Sequence, residues 1–538
     1  MKKNYVLALF SAFLLWLAWP PISYTAPLLW VAFVPLLLAL EDVMRGTARK
    51  KGARIFMLGG LTGVLWNTAS IYWVFNAMNA VMPVYAAALV SLIPFGLAAL
   101  LMALAFRLYY QLRKRYAIGW SLVGLVCFWI AYEYLHQTWD LAFPWMTLGN
   151  GFAETHQLVQ WYEYTGVYGG TVWIWTTNIL VFLGILSAKD GFPVRQRYQL
   201  VGAATALALL PSAWSLYRYA SYTEYENPSN IVVVQPNVDP YGKFTFITPQ
   251  EQTENLIRLS ESVGQPNTEF FIWPETAIAR QGGYNEDEFH RDPVFLRIQD
   301  FLNAYKNGNV LSGIEGHRIY SHPETPTARA YDGIYYDAFN SAVLIENSAK
   351  LQFYHKSKLV AGAEQFPFGG ALSFMKPLFS AFGGTTGGYG KQDIPSVFYS
   401  QSGIGAAPVI CYESIWGNYV AEYIKHGAQF IAVITNDGWW GNTAGKDQHL
   451  AYAKLRAIET RRWVARSANT GISAFINQRG DVVQKTTWWT PAAIKQDINL
   501  NEEMTLYVQG GDYLAYAGCG GSVLFGMLLL FVSLKRKQ

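Results

Sequence analysis

The chain has 538 residues, of which 52% are apolar, 16% aromatic and only 14% charged. Soluble proteins carry about 25% charged residues, and disorder needs a polar composition, so a disordered chain and a single small domain are both excluded. The net charge of +4 hides an asymmetry: residues 1–228 sum to +6, residues 229–512 to −5, and the last 26 carry three positives and no acid.

The first half reads as membrane helices. No Lys or Arg occurs between Lys3 and Arg45, between Arg54 and Arg107, or between Arg115 and Lys189. A spanning helix needs about 20 apolar residues, which predicts spans near 4–20, 23–40, 56–77, 84–106, 118–136, 166–188, 199–215 and 514–534. A soluble helix would show a polar face every turn, and runs such as 88–106 have none. Positive clusters precede span 1 (Lys2, Lys3), separate spans 2 and 3 (Arg45, Arg49, Lys50, Lys51, Arg54) and spans 4 and 5 (Arg107, Arg113, Lys114, Arg115). They recur between spans 6 and 7 (Lys189, Arg195, Arg197) and after span 8 (Lys535, Arg536, Lys537), while the alternate loops have none. The positive-inside rule then places both termini in the cytoplasm and the segment between spans 7 and 8 outside. Pro20-Pro21 makes a poor cleavage site, so span 1 is read as retained. Glu133 and Asp140 are the acids worth checking near a span end.

Residues 1–215 are thus expected to form the membrane domain with spans 1–7, 216–228 a connector, 229–512 an outer domain, and 513–538 the last span and tail. In the outer domain, short apolar runs at 231–234, 270–273, 309–312, 342–345, 407–410, 430–434 and 473–476 alternate with polar helical stretches at 249–263, 290–306 and 446–467. Strands alternating with helices predict an α/β domain with buried sheets. No basic stripe points to nucleic acid, and no glycine loop to a phosphate. Cys127 and Cys519 sit in apolar runs, so a disulfide framework is not expected, and Cys411 stands alone in the polar part.

Three strand ends carry chemistry. The run 271–277 (FIWPETA) ends in Glu275, 354–364 (YHKSKLVAGAE) holds Lys356, Lys358 and Glu364, and 407–413 (APVICYE) ends in Cys411, Tyr412 and Glu413. Taken singly, these are a surface glutamate, a solvated lysine pair and a buried hydrophobic thiol. A thiol is a strong nucleophile only as thiolate. A carboxylate suits the task of taking its proton, and a lysine with a backbone N–H that of holding an oxyanion. Asp437 and His449 lie near this site, read as structural support ahead of substrate contact. Arg456, Glu459, Arg462 and Arg466 recur at helical spacing and read as an ion-pair ladder.

The order Glu, Lys, Cys, each closing a strand, resembles the nitrilase or carbon–nitrogen hydrolase superfamily. The likeness extends into 435–441 (TNDGWWG) and 448–471 (QHLAYAKLRAIETRRWVARSANTG). With helical spans before and one after, the whole chain resembles the apolipoprotein N-acyltransferase family. The resemblance implies a polytopic α-helical membrane domain of about eight spans plus an αββα sandwich. It implies Glu275 as general base, Lys356 as transition-state stabiliser and Cys411 as nucleophile. Lys356 is chosen over Lys358 because it follows Tyr354 by two and precedes Glu364 by eight. Glu364 and Glu413 match the supporting acids and Tyr412 the aromatic beside the nucleophile. Trp273, Phe244 and Trp439 are expected to support the site or touch substrate.

The chain departs from the family pattern in two places. Ala361-Gly362-Ala363 stands where Pro-Phe-Gly is usual, with Pro-Phe-Gly at 367–369 instead, and Lys243-Phe244 replaces Lys-Trp. The segment 370–392 reads as a lid or membrane-dipping arm, or as an ordinary long loop. The resemblance further implies an enzyme of the bacterial inner membrane with a periplasmic catalytic domain, without metal or cofactor and monomeric. It would take an acyl chain from a phospholipid and pass it to the α-amino group of a diacylated apolipoprotein, amid membrane lipids and without nucleic acid. A membrane-anchored amidase sharing the triad stays open, as does a transporter or receptor with an outer binding domain.

Overall fold

The computed structural model describes residues 2–47, 49–80, 82–243, 247–368 and 388–535, so Phe244 and most of the 370–392 segment lie outside the described residues. Two compact units emerge: residues 1–79, 83–221 and 510–538, and residues 80–82 with 222–509.

The first unit is helical. Among the described residues six helices are long and apolar enough to cross a membrane, or seven if the bent pair Lys51–Ser70 and Trp73–Asn79 is one span. Eight were expected. The difference lies in the helix Lys2–Leu17, which at 16 residues is shorter than the roughly 20 a span requires, and in the third span, which bends by 62° after Ser70. The second span begins as a 3₁₀ turn, Ala26–Trp30, before the helix Val34–Arg45. The seventh helix runs Val194–Ser221, so the first residues of the expected connector are helical. The stretch between the helices Ile118–Thr138 and Tyr162–Lys189 is folded into 3₁₀ turns with Trp145, Leu148 and Phe152 buried. Glu133 anchors this stretch: its carboxylate accepts from Trp129 Nε1 (2.9 Å), the Leu148 N–H (2.9 Å) and Thr171 Oγ1 (2.8 Å). A buried polar group is tolerated only with such partners, which gives this acid of the helical unit a structural role between three segments.

The second unit is a sandwich of two sheets with helices outside. The eight-stranded sheet runs in space Ala492–Asn499, Pro228–Gln235, Thr268–Ile272, Asn309–Tyr320, Ile334–Ile345 and Arg329–Tyr331, with Tyr284–Asn285 also pairing to Asn309–Tyr320 and Leu351–His355 to Ile334–Ile345. The six-stranded sheet runs Val482–Lys485, Ala474–Ile476, Val464–Ala468, Phe430–Thr435, Gly405–Ile410 and Phe398–Tyr399. The central strands of both are parallel and buried throughout. Parallel strands covered on both faces need continuous apolar runs, which is why IVVV, TEFFI and FIAVI do not alternate. Phe270 and Phe430 meet between the sheets with ring centroids 5.2 Å apart.

The helix Pro249–Val263 starts at a capping box between Thr248 and Glu251, and the helix Pro293–Leu302 is capped by Asp292. Both bury Ile257, Val294 and Ile298 against the first sheet. The expected helix 446–467 is instead Ala444–Thr460, followed by the strand Val464–Ala468. Arg461 takes a left-handed conformation (φ 49°), which ends the helix and breaks the expected arginine ladder. Arg456 pairs with Glu459 at 2.7 Å, Arg462 donates to the Ala428 and Glu503 carbonyls, and Arg466 lies on a strand beside Asp437.

Candidate active site

The three motif residues follow three strand ends, where parallel α/β sheets bind ligands. Glu275 comes after Thr268–Ile272, Lys356 after Leu351–His355, and Cys411 after Gly405–Ile410. Local backbone fixes each. Gly313 lies so close behind Glu275 that a Cβ there would sit 2.6 Å from Glu275 Cα and 2.3 Å from the Thr276 nitrogen. Thr276 and Cys411 are both left-handed, at φ 48° and 50°. Non-glycine residues occupy that region only where surroundings enforce it, often at functional sites. The Lys356 N–H donates to the Asn340 carbonyl at 2.9 Å.

A buried ion cluster links the first two. Lys356 Nζ donates to Glu275 Oε1 at 3.0 Å and to Glu364 Oε1 at 2.8 Å. Asn340 Nδ2 donates to the same two oxygens at 2.9 and 3.0 Å. Burial opposes the charge on Glu275, but Lys356, Asn340 and Lys243 outweigh it and hold the carboxyl below its ordinary range. Burial likewise opposes the ammonium of Lys356, and Glu275, Glu364 and Cys411 hold it well above the ordinary lysine value. Burial pushes the Cys411 thiol well up, and Glu275 adds to this, while Lys356 and a hydrogen bond with Thr435 oppose it. The resting site is therefore carboxylate, ammonium and neutral thiol.

Glu413 organises the loop around Lys356. Its Oε1 accepts from Tyr354 OH (2.6 Å) and from the Ser357 (2.6 Å) and Lys358 (3.2 Å) N–H groups, and its Oε2 from the Ile410 N–H (2.9 Å). Glu364 Oε2 accepts from the Val360 N–H at 2.8 Å. These two acids thus pin both ends of the lysine loop. Lys358 turns away, its Nζ 4.9 Å over the Tyr419 ring.

Behind Cys411 lies a second buried network. His449 Nδ1 is 3.0 Å from Asp437 Oδ1, and Thr435 Oγ1 donates to the same oxygen at 3.0 Å. Arg466 donates to Asp437 Oδ2. Burial works against the Asp437 charge, but Arg466 and His449 hold its carboxyl down at about 2.

The remaining residues singled out in the sequence are scattered. Tyr412 is buried edge-on to Trp416 at 4.7 Å. Trp273 lies in the core between sheet and helix, its Nε1 donating to Ser260 Oγ at 3.0 Å. Trp439 is 38% exposed and stands edge-on to the exposed Tyr241 at 5.0 Å. Asn340 and Gly313 escaped sequence reasoning. The only signal for Asn340 is an amide within a strand whose far half is apolar. Lys243 is also placed here: it is buried, it donates to the Thr276 carbonyl at 3.3 Å, and burial brings its pKa down to about 8 against the pull of Glu275 and Glu315. Among the described residues no group of three or more His, Cys, Asp or Glu is placed to hold a metal ion.

Comparison with known proteins gives two domain matches. Residues 232–505 match the carbon–nitrogen hydrolase model, and residues 11–180 match the model described as the N-terminal domain of apolipoprotein N-acyltransferase. A Chlorobaculum tepidum protein named apolipoprotein N-acyltransferase is 28% identical, over 100% of this chain and 98% of its own length. A Geobacter metallireducens protein of the same name is 27% identical, over 98% and 95%. A solved variant of the Nesterenkonia AN1 amidase, of the nitrilase superfamily, aligns with 55% of this chain and 99% of its own at 14% identity and a TM-score of 0.36.

Proposed function

The chain belongs to the carbon–nitrogen hydrolase family, and on that premise we propose that it is a membrane acyltransferase that N-acylates lipoproteins. Cys411 takes a fatty acyl chain from a phospholipid as a thioester and passes it to the α-amino group of an N-terminal diacylglyceryl-cysteine. The observation that carries this reading is the Glu275–Lys356–Glu364 cluster, electrostatically coupled to Cys411, on a chain whose described residues also hold six or seven helices long and apolar enough to cross a membrane. Relatives matching its full length and bearing the name apolipoprotein N-acyltransferase support the substrate class.

The proposed steps follow from the charges. Glu275 takes the thiol proton as sulfur attacks the ester carbonyl, because a free thiolate is disfavoured in so buried a site. Lys356 and the Tyr412 N–H hold the oxyanion, where loss of one donor costs about 3–4 kcal/mol. Collapse of the intermediate expels lysophospholipid, with Glu275 returning the proton. The acceptor amine then attacks the thioester, and the thiol is regenerated. Splitting the transfer in this way gives ping-pong kinetics. Both substrates are lipids, and drawing an acyl chain out of a bilayer costs about 0.8 kcal/mol per CH₂, which gives a reason for the apolar helices. In this reading the catalytic unit lies in the periplasm of an inner-membrane protein with both termini in the cytoplasm, as the positive clusters support, and the chain acts as a monomer.

The test is intact mass of detergent-solubilised protein incubated with phospholipid and no acceptor. One acyl chain on Cys411, removable by neutral hydroxylamine and discharged as an amide by diacylated lipopeptide, is expected. Steady release of free fatty acid to water, with no accumulated thioester, would make the chain a hydrolase.

A further inference from the structure

We propose that His449 is a positioning residue for the oxyanion site: its Nε2–H holds and polarises the Cys411–Tyr412 peptide group, whose other end is the Tyr412 N–H. This role presupposes the acyl-transfer reading above, in which that N–H faces the reacting carbonyl oxygen.

His449 is fully buried, with Nε2 3.2 Å from the Cys411 carbonyl oxygen and 2.9 Å from Ser414 Oγ. Ser414 Oγ donates to the same carbonyl at 2.8 Å. A carbonyl only accepts, so this contact is a hydrogen bond when Nε2 carries the hydrogen, the form we assign to His449. The opposite nitrogen, Nδ1, lies 3.0 Å from Asp437 Oδ1 and 3.2 Å from Arg466 Nη2. With hydrogen on Nε2, Nδ1 accepts from Arg466 in the neutral ring and donates to Asp437 in the charged one, whereas a neutral ring protonated at Nδ1 would leave Nε2 to accept from Ser414 Oγ. Asp437 is held in turn by Thr435 and Arg466. One buried network therefore reaches the carbonyl of the nucleophile, and no motif residue mediates that contact.

The effect on catalysis is through the peptide bond. C=O and N–H of one peptide are conjugated, so hydrogen bonds accepted at the Cys411 oxygen strengthen donation at the Tyr412 nitrogen, by roughly 10–30% per bond. They also fix the plane of that peptide in a residue held at φ 50°. A donor fixed before reaction is worth more than one that must turn toward the oxyanion.

The experiment separates reactions at the same sulfur. Acylation by an ester passes through an oxyanion, whereas alkylation by iodoacetamide displaces iodide from a saturated carbon and forms none. Full-length His449→Leu, His449→Gln and Ser414→Ala are compared with wild type, with folding followed by thermal unfolding. Thioester formation is timed with p-nitrophenyl butyrate and with phospholipid, and alkylation of Cys411 by mass. His449→Leu is expected to lose roughly 10- to 100-fold in acylation with alkylation within about 2-fold of wild type. His449→Gln, which restores a donor, recovers most of the loss, and Ser414→Ala shows a smaller selective loss. Parallel loss of acylation and alkylation in the folded variants, unchanged acylation, or failure of glutamine to rescue would each overturn the proposal. If His449→Leu does not fold, Ser414→Ala decides: a loss confined to acylation supports the role, and an equal loss in both refutes it. A wild type acylated by the nitrophenyl ester but never by phospholipid would defeat the acyl-donor reading alone and leave the role of His449 measurable.

Discussion

Asn340 Nδ2 lies 2.9 Å from Glu275 Oε1 and reaches Glu364 Oε1 at 3.0 Å. Both neighbours are carboxylates, so the amide nitrogen, and not its oxygen, must face them. Together with Lys356 it keeps Glu275 ionised in a buried site.

Asn340→Asp would place a third carboxylate there. A like charge raises the pKa of its neighbours, so Glu275 would move up from its depressed value and lose its proton-accepting form as the pH falls. The variant is expected to acylate roughly 100-fold more slowly at about pH 6 and to recover partly toward about pH 8. Wild type should be flat over that range, because its base stays ionised. Single-turnover acylation against pH measures this, and a variant profile parallel to wild type would contradict it.

Gly313→Ala tests the backbone packing behind the base. The new methyl would lie 2.6 Å from Glu275 Cα and 2.7 Å from the Pro274 oxygen, distances that backbone atoms must move to relieve. Overpacking costs about 1–3 kcal/mol, and a displacement near 1 Å at a reacting group costs about 100-fold in rate. A folded protein with a lowered melting temperature and acylation down by about that factor is expected. Full activity would mean that the Glu275 turn is not held by this contact.

Lys356→Met and Lys358→Met should behave differently although only two residues apart. The first leaves the buried Glu275 and the partly buried Glu364 without their cation, a loss of about 3–5 kcal/mol, and abolishes thioester formation. The second removes only a contact over the Tyr419 ring and should change the rate by less than about 3-fold. Intact mass after phospholipid exposure distinguishes them, and the reverse pattern would reassign the loop.

Acid should weaken the second unit through Asp437. Its pKa is depressed from 3.8 to about 2, so its contribution is fully present above the unfolded value and is lost as the pH falls through the folded one. The shift corresponds to about 2 kcal/mol. Thermal unfolding between about pH 5 and about pH 2 should show this loss in wild type. It should be smaller in Asp437→Asn, which is less stable throughout. An unchanged slope would mean that Asp437 is not the group responsible.

The proposed topology is checked at Lys350, exposed in the turn between the strands Ile334–Ile345 and Leu351–His355. An insertion there leaves both strands intact. A reporter active only after export should be active at this site, and one active only in the cytoplasm should be silent. The opposite readout would invert the membrane map.

The sequence by itself determined the division into an apolar helical half and an α/β half. Apolar length and charge placement are local properties, imposed by the solvent each segment meets. It also located the buried strands, because burial on both faces demands apolar runs, and all seven runs singled out fall within or overlap strands, though those at 342–345 and 473–476 pair antiparallel. The residues of the motif could be listed from it, but their company could not. Asn340 meets Glu275 across 65 positions and Lys356 meets it across 81, and no periodicity links residues so far apart. The four charges read as one helical ladder were divided by a single left-handed residue, Arg461. Only then could Arg466 reach Asp437 from a strand. Which polar groups share a buried site is settled when the two sheets close on each other, because only then does an unpaired charge become costly enough to select its partner.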